Sequence, residues 1–277
     1  MRKRQLATLV LPVLLFSVLG FFWIYPFIWM ISASLKDTFE VITKGLSLLP
    51  DKLRIDNYHR AWVTGKFGTY LFNTVFITAA TILIVVSRCA LAGYALGRYR
   101  FRGDSLVLGL LVATFLVPTG STIIPTVQLT MRLGLLNTHW GIILALSGAG
   151  HVSAILLFRS FFAQIPQSLA EAAHMDGASF FQIFSRIMLP LSGPVTATVC
   201  VLTFMFSWNN FMLPMVLTFS KPELRTLSVG MQAFSGMHEN DWSGMAAAGT
   251  ISLVPIVAVF VSIQKYFVNG IAGSIKE

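Results

Sequence analysis

Long apolar runs alternate with short polar stretches along this chain. The runs extend from Ala7 to about Ser34, Tyr70 to Gly97, Leu106 to Thr130, Trp140 to Phe162, Met188 to Phe219 and Met245 to Val268. Each is long enough to cross a hydrocarbon layer, which takes roughly 20 helical residues. They are continuous rather than alternating, so the pattern predicts helices and not the strands of a barrel. The expected class is therefore all-α, a polytopic membrane protein with six transmembrane helices. Pro118 and Pro125 interrupt the third run. The first run follows Met1-Arg2-Lys3-Arg4, as a secretory signal would. It is too long for a signal core, and the context around Ser32-Ala33-Ser34 is weak for cleavage, so a retained first span is expected.

The polar stretches carry the remaining information. Residues 35–69 form the largest, with Pro50 and aromatic residues near Asn57-Tyr58 and Ala61-Trp62, and read as a water-exposed segment with an interfacial helix. A polar island, Glu171-Ala172-Ala173-His174-Met175-Asp176-Gly177, separates the fourth and fifth runs. Ser168, three residues before Glu171, has the spacing of a capping box, so a helix is predicted to start there with Glu171 closing the cap. Pro166 discourages an earlier start, and the alanines are strong helix formers with little bulk. Gly177 can take the left-handed conformation that closes the helix. Ser179 and Gln182 repeat the capping-box spacing and predict a second helix, and His174 is expected on the exposed side of the first.

Glu171-Ala172-Ala173, three residues, Gly177, nine residues, Ile187, one residue and Leu189-Pro190 resemble the EAA loop of permease subunits in bacterial ABC importers. The resemblance implies a type I importer permease fold: one transmembrane permease domain over 1–277, a cytoplasmic coupling loop at 163–187 and an extracytoplasmic segment at 35–69. It implies that Glu171, Ala172, Ala173, Asp176, Gly177, Leu189 and Pro190 serve coupling, with the short helix docked in a cleft of an ATPase subunit. Trp208-Asn209-Asn210-Phe211 followed by Pro214 is similar to the fifth-span signature of the carbohydrate branch. The chain as a whole is similar to the second permease subunit of the maltose importer. By that resemblance the partners are a second permease subunit, two ATPase subunits, an extracytoplasmic solute-binding protein, membrane lipid and a carbohydrate substrate. Asp241-Trp242 and the loop from Gly230 to Ser243 would face the binding protein. The tail from Gln264 to Lys276 looks like one that reaches between the ATPases, although its length and glycine placement differ.

Composition agrees with the runs. Mean hydropathy is +0.74, and 11% of residues are charged, where a soluble domain has about 25%. The net charge of +9 needs no nucleic acid, because a basic rim facing anionic lipid accounts for it. With both termini cytoplasmic, eleven basic and four acidic residues fall inside and nine and seven fall outside. Short loops weigh most in orientation, and many outer bases belong to the long segment 35–69. This places the polar island in the cytoplasm, and the resemblance implies a bacterial inner membrane.

No acidic residue falls inside a predicted span, whereas ion-coupled carriers usually keep carboxylates there. No Walker-type phosphate loop is present, so no cofactor is expected on this chain, and ATP and Mg would be held by partner ATPases. The dispersed histidines, His59, His139, His151, His174 and His238, form no metal motif. No catalytic or metal residue is therefore assigned. Cys89 and Cys200 read as buried thiols, and Asn73 as a helix-cap or interfacial amide. Asn209 and Asn210, costly near a span end without partners, either line a sugar path or outer gate with Trp208 or hydrogen-bond a neighbouring helix. Two other function classes stay open: a permease of the same superfamily for a non-sugar solute, and a carrier that uses no ATPase.

Overall fold

The computed structural model describes residues 2–148, 151–235 and 240–274. Its helices, in order, are α1 (Arg2–Ala33), α2 (Thr38–Thr43), α3 (Asp56–His59, continued by a π-turn at Arg60–Thr64), α4 (Phe67–Arg98), α5 (Asp104–Ala113), α6 (Ile123–Arg132), α7 (His139–Gly148) and α8 (Val152–Gln164). There follow α9 (Gln167–Met175), α10 (Phe180–Ile183, continued by a π-turn at Phe184–Met188), α11 (Leu189–Leu191), α12 (Gly193–Trp208), α13 (Met212–Leu217), α14 (Leu227–Gly230) and α15 (Trp242–Ser274). The expected all-α class is found.

Three spans are single helices: α1, α4 and α15 supply Pro12–Ala33, Phe67–Arg98 and Trp242–Ser262. The other three are broken. Asp104–Leu116 and Gly120–Arg132 differ in direction by 99°, and the break falls at Pro118, whose extended backbone (ψ 129°) cannot continue a helix. His139–Gly148 and Val152–Gln164 differ by 57°. The sequence there reads Gly148-Ala149-Gly150, a breaker that the apolar pattern hid; its last two residues lie outside those described. Phe180–Leu191 and Gly193–Trp208 differ by 80°, with the helix interrupted at Ser192 ahead of Pro194. The fifth run also ends earlier than its apolar pattern suggests, since α12 stops at Trp208 and α13 is a separate short helix.

The chain divides into two compact units, Met1–Gly68 with Gly230–Ile256, and Thr69–Val229 with Val257–Glu277. In the first, Phe67 and Phe234 pack with ring centroids 5.6 Å apart. A polar network joins segments distant in sequence. Asn57 Nδ2 donates to the carbonyls of Ser34 and Lys36, both at 2.8 Å, and Arg60 Nη2 donates to Asn57 Oδ1 at 2.7 Å. Arg60 also meets the Asp241 carboxylate at 3.3 Å. Asp241 precedes α15 and accepts the Gly244 N–H at 2.9 Å and the hydroxyls of Thr38 and Ser243. Thus Asp241 is both a helix cap and the tie to the 35–69 segment.

Burial alone would raise the Asp241 pKa, but the Gly244 N–H, the two hydroxyls and the Arg60 charge outweigh it and hold the carboxyl below its ordinary value. A lowered folded-state pKa contributes stability that is fully present above the unfolded value, about 3.9 for aspartate. That contribution is lost as pH falls through the folded value. The expected result is no Asp241-dependent change in stability from pH 5 to 8 and a loss that sets in as pH falls through about 4. Asp241→Ala should cost about 1 kcal/mol, as for a lost helix cap, and should flatten that acid limb. Thermal unfolding of both proteins in detergent from pH 3 to 7 checks this; parallel pH profiles would refute it.

In the second unit, one face of α4 is buried along its length, through Ile77, Thr78, Thr81, Val85, Cys89 and Ala90, as helical periodicity requires. Asn73, expected to be a cap or interfacial amide, is instead a buried cross-link. Its Nδ2 donates to the carbonyls of Glu223 (2.8 Å) and Arg225 (3.0 Å), and its Oδ1 lies 3.0 Å from His139 Nε2. Thr74 accepts the Leu227 N–H at 2.8 Å. Cys89 is buried, Cys200 is half-buried, and both are free thiols.

Gly93 and Gly97, four residues apart, lie where α4 meets α8. A Cβ on Gly93 would lie 2.5 Å from Phe158 Cβ and 2.8 Å from the Arg159 nitrogen, and one on Gly97 would lie 2.7 Å from the Arg159 carbonyl oxygen. Two of these three atoms are backbone and cannot swing away. The glycines therefore set the separation of the two helices, as small residues do between membrane helices.

Candidate functional site

The polar island folds as helix, turn and helix. α9 begins one residue before Ser168, with Pro166 extended at the N-cap and no side-chain cap bond at that end. The predicted Ser168–Glu171 capping box is therefore absent. Proline fixes the entry backbone, which leaves Ser168 and Glu171 inside the helix with exposed side chains. The other end follows the expectation. Gly177 has φ +79°, its N–H bonds the His174 carbonyl at 3.0 Å, and the Ala178 N–H bonds the Ala173 carbonyl at 2.9 Å. This paired closure satisfies carbonyls that the helix end would otherwise leave open. Ser179 and Gln182 form the second capping box, with Gln182 Oε1 accepting the Ser179 N–H at 2.7 Å and Ser179 Oγ accepting the Gln182 N–H at 3.4 Å.

The two adjacent alanines face opposite ways. Ala173 is 8% exposed and joins the core formed by Tyr94, Phe158, Phe162, Ile183 and Met188, with Ala170 and Ala178 packed beside it. Ala172 is exposed, together with Glu171, His174 and Asp176. Close approach at Ala173 is thus to the chain itself, and only Ala172 offers it to another molecule. Leu169 and Met175, which the sequence reading passed over, share the free surface, and Met175 is 88% exposed. Their signal was available: both are apolar on a helix whose buried face is already filled by alanines. Leu189 and Pro190 open α11 at the far end of the loop, where Leu189 packs on the same core.

The end of α4 grips this loop at both ends, which the sequence reading also missed. Arg98 donates through Nη1 to the carbonyls of Ile165 (2.5 Å) and Phe162 (3.4 Å) and through Nη2 to Pro166 (3.4 Å), all at the elbow where α8 passes into α9. One turn earlier, Tyr94 is fully buried. Its ring lies 4.9 Å from Phe180 and 5.4 Å from Phe184, at the exit of the loop, and 5.7 Å from Phe162. Its hydroxyl meets that of Tyr99 at 3.0 Å. Residues four apart on a helix share a face, so one face of α4 holds the entry with a cation and the exit with an aromatic ring. Arg159 returns the tie, with Nε donating to the Leu96 carbonyl at 3.3 Å.

The second candidate group is arranged differently. Trp208 is 4% exposed, stacks on Phe204 at 5.0 Å, and its carbonyl accepts the Ser228 hydroxyl at 3.0 Å. Asn209 is exposed, and its Nδ2 donates back to the Met205 carbonyl at 2.9 Å. Asn210 Oδ1 accepts the Leu213 N–H at 3.3 Å. Both amides thus make local backbone bonds that end α12 and start α13. The loop from Gly230 to Ser243 lies outside the described residues at 236–239, as do residues 275–277 of the tail. Among the described residues no three of His, Cys, Asp and Glu converge as metal ligands.

Residues 89–273 match the model of the family described as binding-protein-dependent transport system inner membrane component. The chain is 36% identical to a probable ABC transporter permease protein, YurM, of Bacillus subtilis, over 91% of this chain and 83% of that protein. It is 31% identical to the arabinooligosaccharides transport system permease protein AraQ of Halalkalibacterium halodurans, over 94% of each. A solved chain of a bacterial ABC transporter involved in import of the acidic polysaccharide alginate superposes with a TM-score of 0.81 at 27% identity. That match covers 96% of this chain and 98% of that one.

Proposed function

We infer, because this chain belongs to the family of binding-protein-dependent transport system inner membrane components, that it is the permease subunit of an ATP-driven sugar importer. It is a multi-pass membrane protein of a transport system, and its family is not one of enzymes. The observation that carries the coupling role is the short helix α9. It is closed at its C-terminus by Gly177, clamped at both loop ends by Arg98 and Tyr94, and presents Leu169, Glu171, Ala172, Met175 and Asp176 to the outside. A clamped helix with a free face can be pushed as a rigid lever.

In this reading a second permease completes the path, and two ATPase subunits bind ATP and Mg and supply the energy. Their closure displaces α9, and α4 and α8 carry the displacement into the spans. An extracytoplasmic binding protein delivers the solute. Both termini lie in the cytoplasm, a placement supported by Arg98, Arg100, Arg102, Arg159 and Arg186 around the loop. A carbohydrate solute is supported by the transport system for which AraQ is named and by the alginate importer. Trp208, Asn209 and Asn210 enter this reading as the support of a gate at the end of α12, because their own bonds shape the backbone there.

Mass spectrometry of the proteins that co-purify with the chain from mildly solubilised native membranes tests the proposal. An ATPase and a second permease are expected, followed by sugar binding in the cognate receptor. Recovery of the chain alone would remove the coupling partner, and a receptor that binds only a non-sugar solute would redirect the substrate class.

A further inference from the structure

The turn that follows α2 is strapped along α1. Four consecutive carbonyls each accept a side-chain hydrogen bond. Trp29 Nε1 donates to Gly45 O at 2.9 Å, Tyr25 OH to Leu46 O at 2.6 Å, Lys36 Nζ to Ser47 O, and Ser32 Oγ to Leu48 O. Tyr25, Trp29 and Ser32 are four and three residues apart and so line one face of α1, and Lys36 follows three residues after the helix ends. Gly45 has φ +52°, and the Ser47 N–H closes the turn on the Lys44 carbonyl at 3.1 Å. The apex, Gly45-Leu46, takes the donors farthest back along α1, while Ser47 and Leu48 take those nearest its end. The turn therefore hangs alongside the helix with its tip pointing back toward the middle of α1.

The position of these donors identifies the surroundings. α1 has 32 residues, about 48 Å at 1.5 Å per residue, against a hydrocarbon layer of about 30 Å. The apolar run, Ala7 to about Ser34, is longer than that layer; with the charged start Arg2-Lys3-Arg4 held at one face, about twenty residues bring the other face to the region of Tyr25. Tyr25 and Trp29 then fall at its boundary, where tyrosine and tryptophan concentrate. Carbonyls facing water need no protein partner. Backbone polar groups at the edge of that layer are held by protein or by interfacial water, and here side chains take all four carbonyls. The side chains on the turn are the converse: Leu46 is 70% and Leu49 81% exposed, with Phe39 and Ile42 of α2 also exposed. Lys44, beside the tip, is paired with Glu40 and Asp51, which reduces the cost of a cation at that depth.

We propose that the turn at Lys44–Leu49 is an interfacial lipid anchor, with Leu46 and Leu49 among the acyl chains of the leaflet at the C-terminal end of α1. This rests on the membrane placement of α1 and not on the transport reading, so either can fail without the other.

Nitroxide labels at Leu46→Cys, Leu49→Cys and, as a water-facing control, Lys52→Cys test it, with Cys89 and Cys200 replaced by alanine. The full chain, with the proteins it co-purifies with, is reconstituted in vesicles of phosphatidylethanolamine and phosphatidylglycerol. Collisions with oxygen should exceed those with a water-soluble nickel chelate several-fold at 46 and 49, and the order should reverse at 52. Adding Tyr25→Phe, which removes the donor to the Leu46 carbonyl, should raise nickel access at 46. Nickel access prevailing at 46 and 49 would overturn the anchor in favour of a water-exposed turn. Labels shielded from both reagents would overturn it in favour of a covering protein subunit.

Discussion

Gly177→Val is expected to leave the protein inserted and monodisperse while lowering solute uptake about tenfold or more. The native φ of +79° lies where a β-branched residue is a steric outlier, at a cost of about 1–3 kcal/mol. Nothing lies within 4 Å of a Cβ built there, so the penalty comes from the backbone alone and not from a collision that would unfold the core. It falls on the bonds from Gly177 and Ala178 back to His174 and Ala173. Each 1.4 kcal/mol shifts the population holding that closure tenfold. With the closure open, the last turn of α9 frays and its free face no longer moves as one piece. Uptake and receptor-stimulated ATP hydrolysis should fall together in reconstituted vesicles. Gly177→Asn should retain intermediate activity, because asparagine enters the left-handed region more readily. Normal uptake and normal stimulated hydrolysis in the valine variant would sink the lever mechanism.

The two ends of α9 show how much a sequence discloses. Closure at Gly177 was legible because the residue type and the required φ are one local fact. The start was misread because Ser168 and Glu171 have capping spacing, yet Pro166 sets the chain direction one residue earlier and takes the cap position itself. The six spans were legible from apolar length, and their breaks only in part. Pro118 announces itself through chemistry, whereas the glycines at 148 and 150 look like ordinary small residues of a membrane helix. Trp208 and Asn73 were illegible for a different reason. Whether an amide or indole serves a path or a cross-link depends on neighbours far along the chain, such as Glu223 and Arg225 for Asn73. The clamp on the α9 loop was hidden likewise, since Tyr94 and Arg98 meet it 60 to 90 residues away.

Arg98 carries the other large expected effect. In the sequence it belongs to the basic cluster Arg98-Tyr99-Arg100-Phe101-Arg102, which in the proposed topology orients the chain. In the fold its guanidinium bridges the last carbonyls of α8 and the entry to α9. Cations at a helix C-terminus are favourable, and a hydrogen bond from a charged donor contributes about 1.5–3 kcal/mol. Arg98→Ala should therefore loosen the elbow by a few kcal/mol while the Tyr94 cluster still holds the exit. ATPase closure would then bend the elbow instead of moving α4 and α8. The expected signature is hydrolysis that continues with fewer solute molecules carried per ATP, together with faster amide exchange in residues 165–171. Arg98→Lys separates the two roles, because it keeps the orienting charge but lacks the planar fork that spans separate carbonyls. Lysine should keep native insertion and restore coupling only in part. If both variants transport with the native ratio and exchange at native rates, Arg98 serves orientation alone, and the elbow is held by the Gly93 and Gly97 contact with α8.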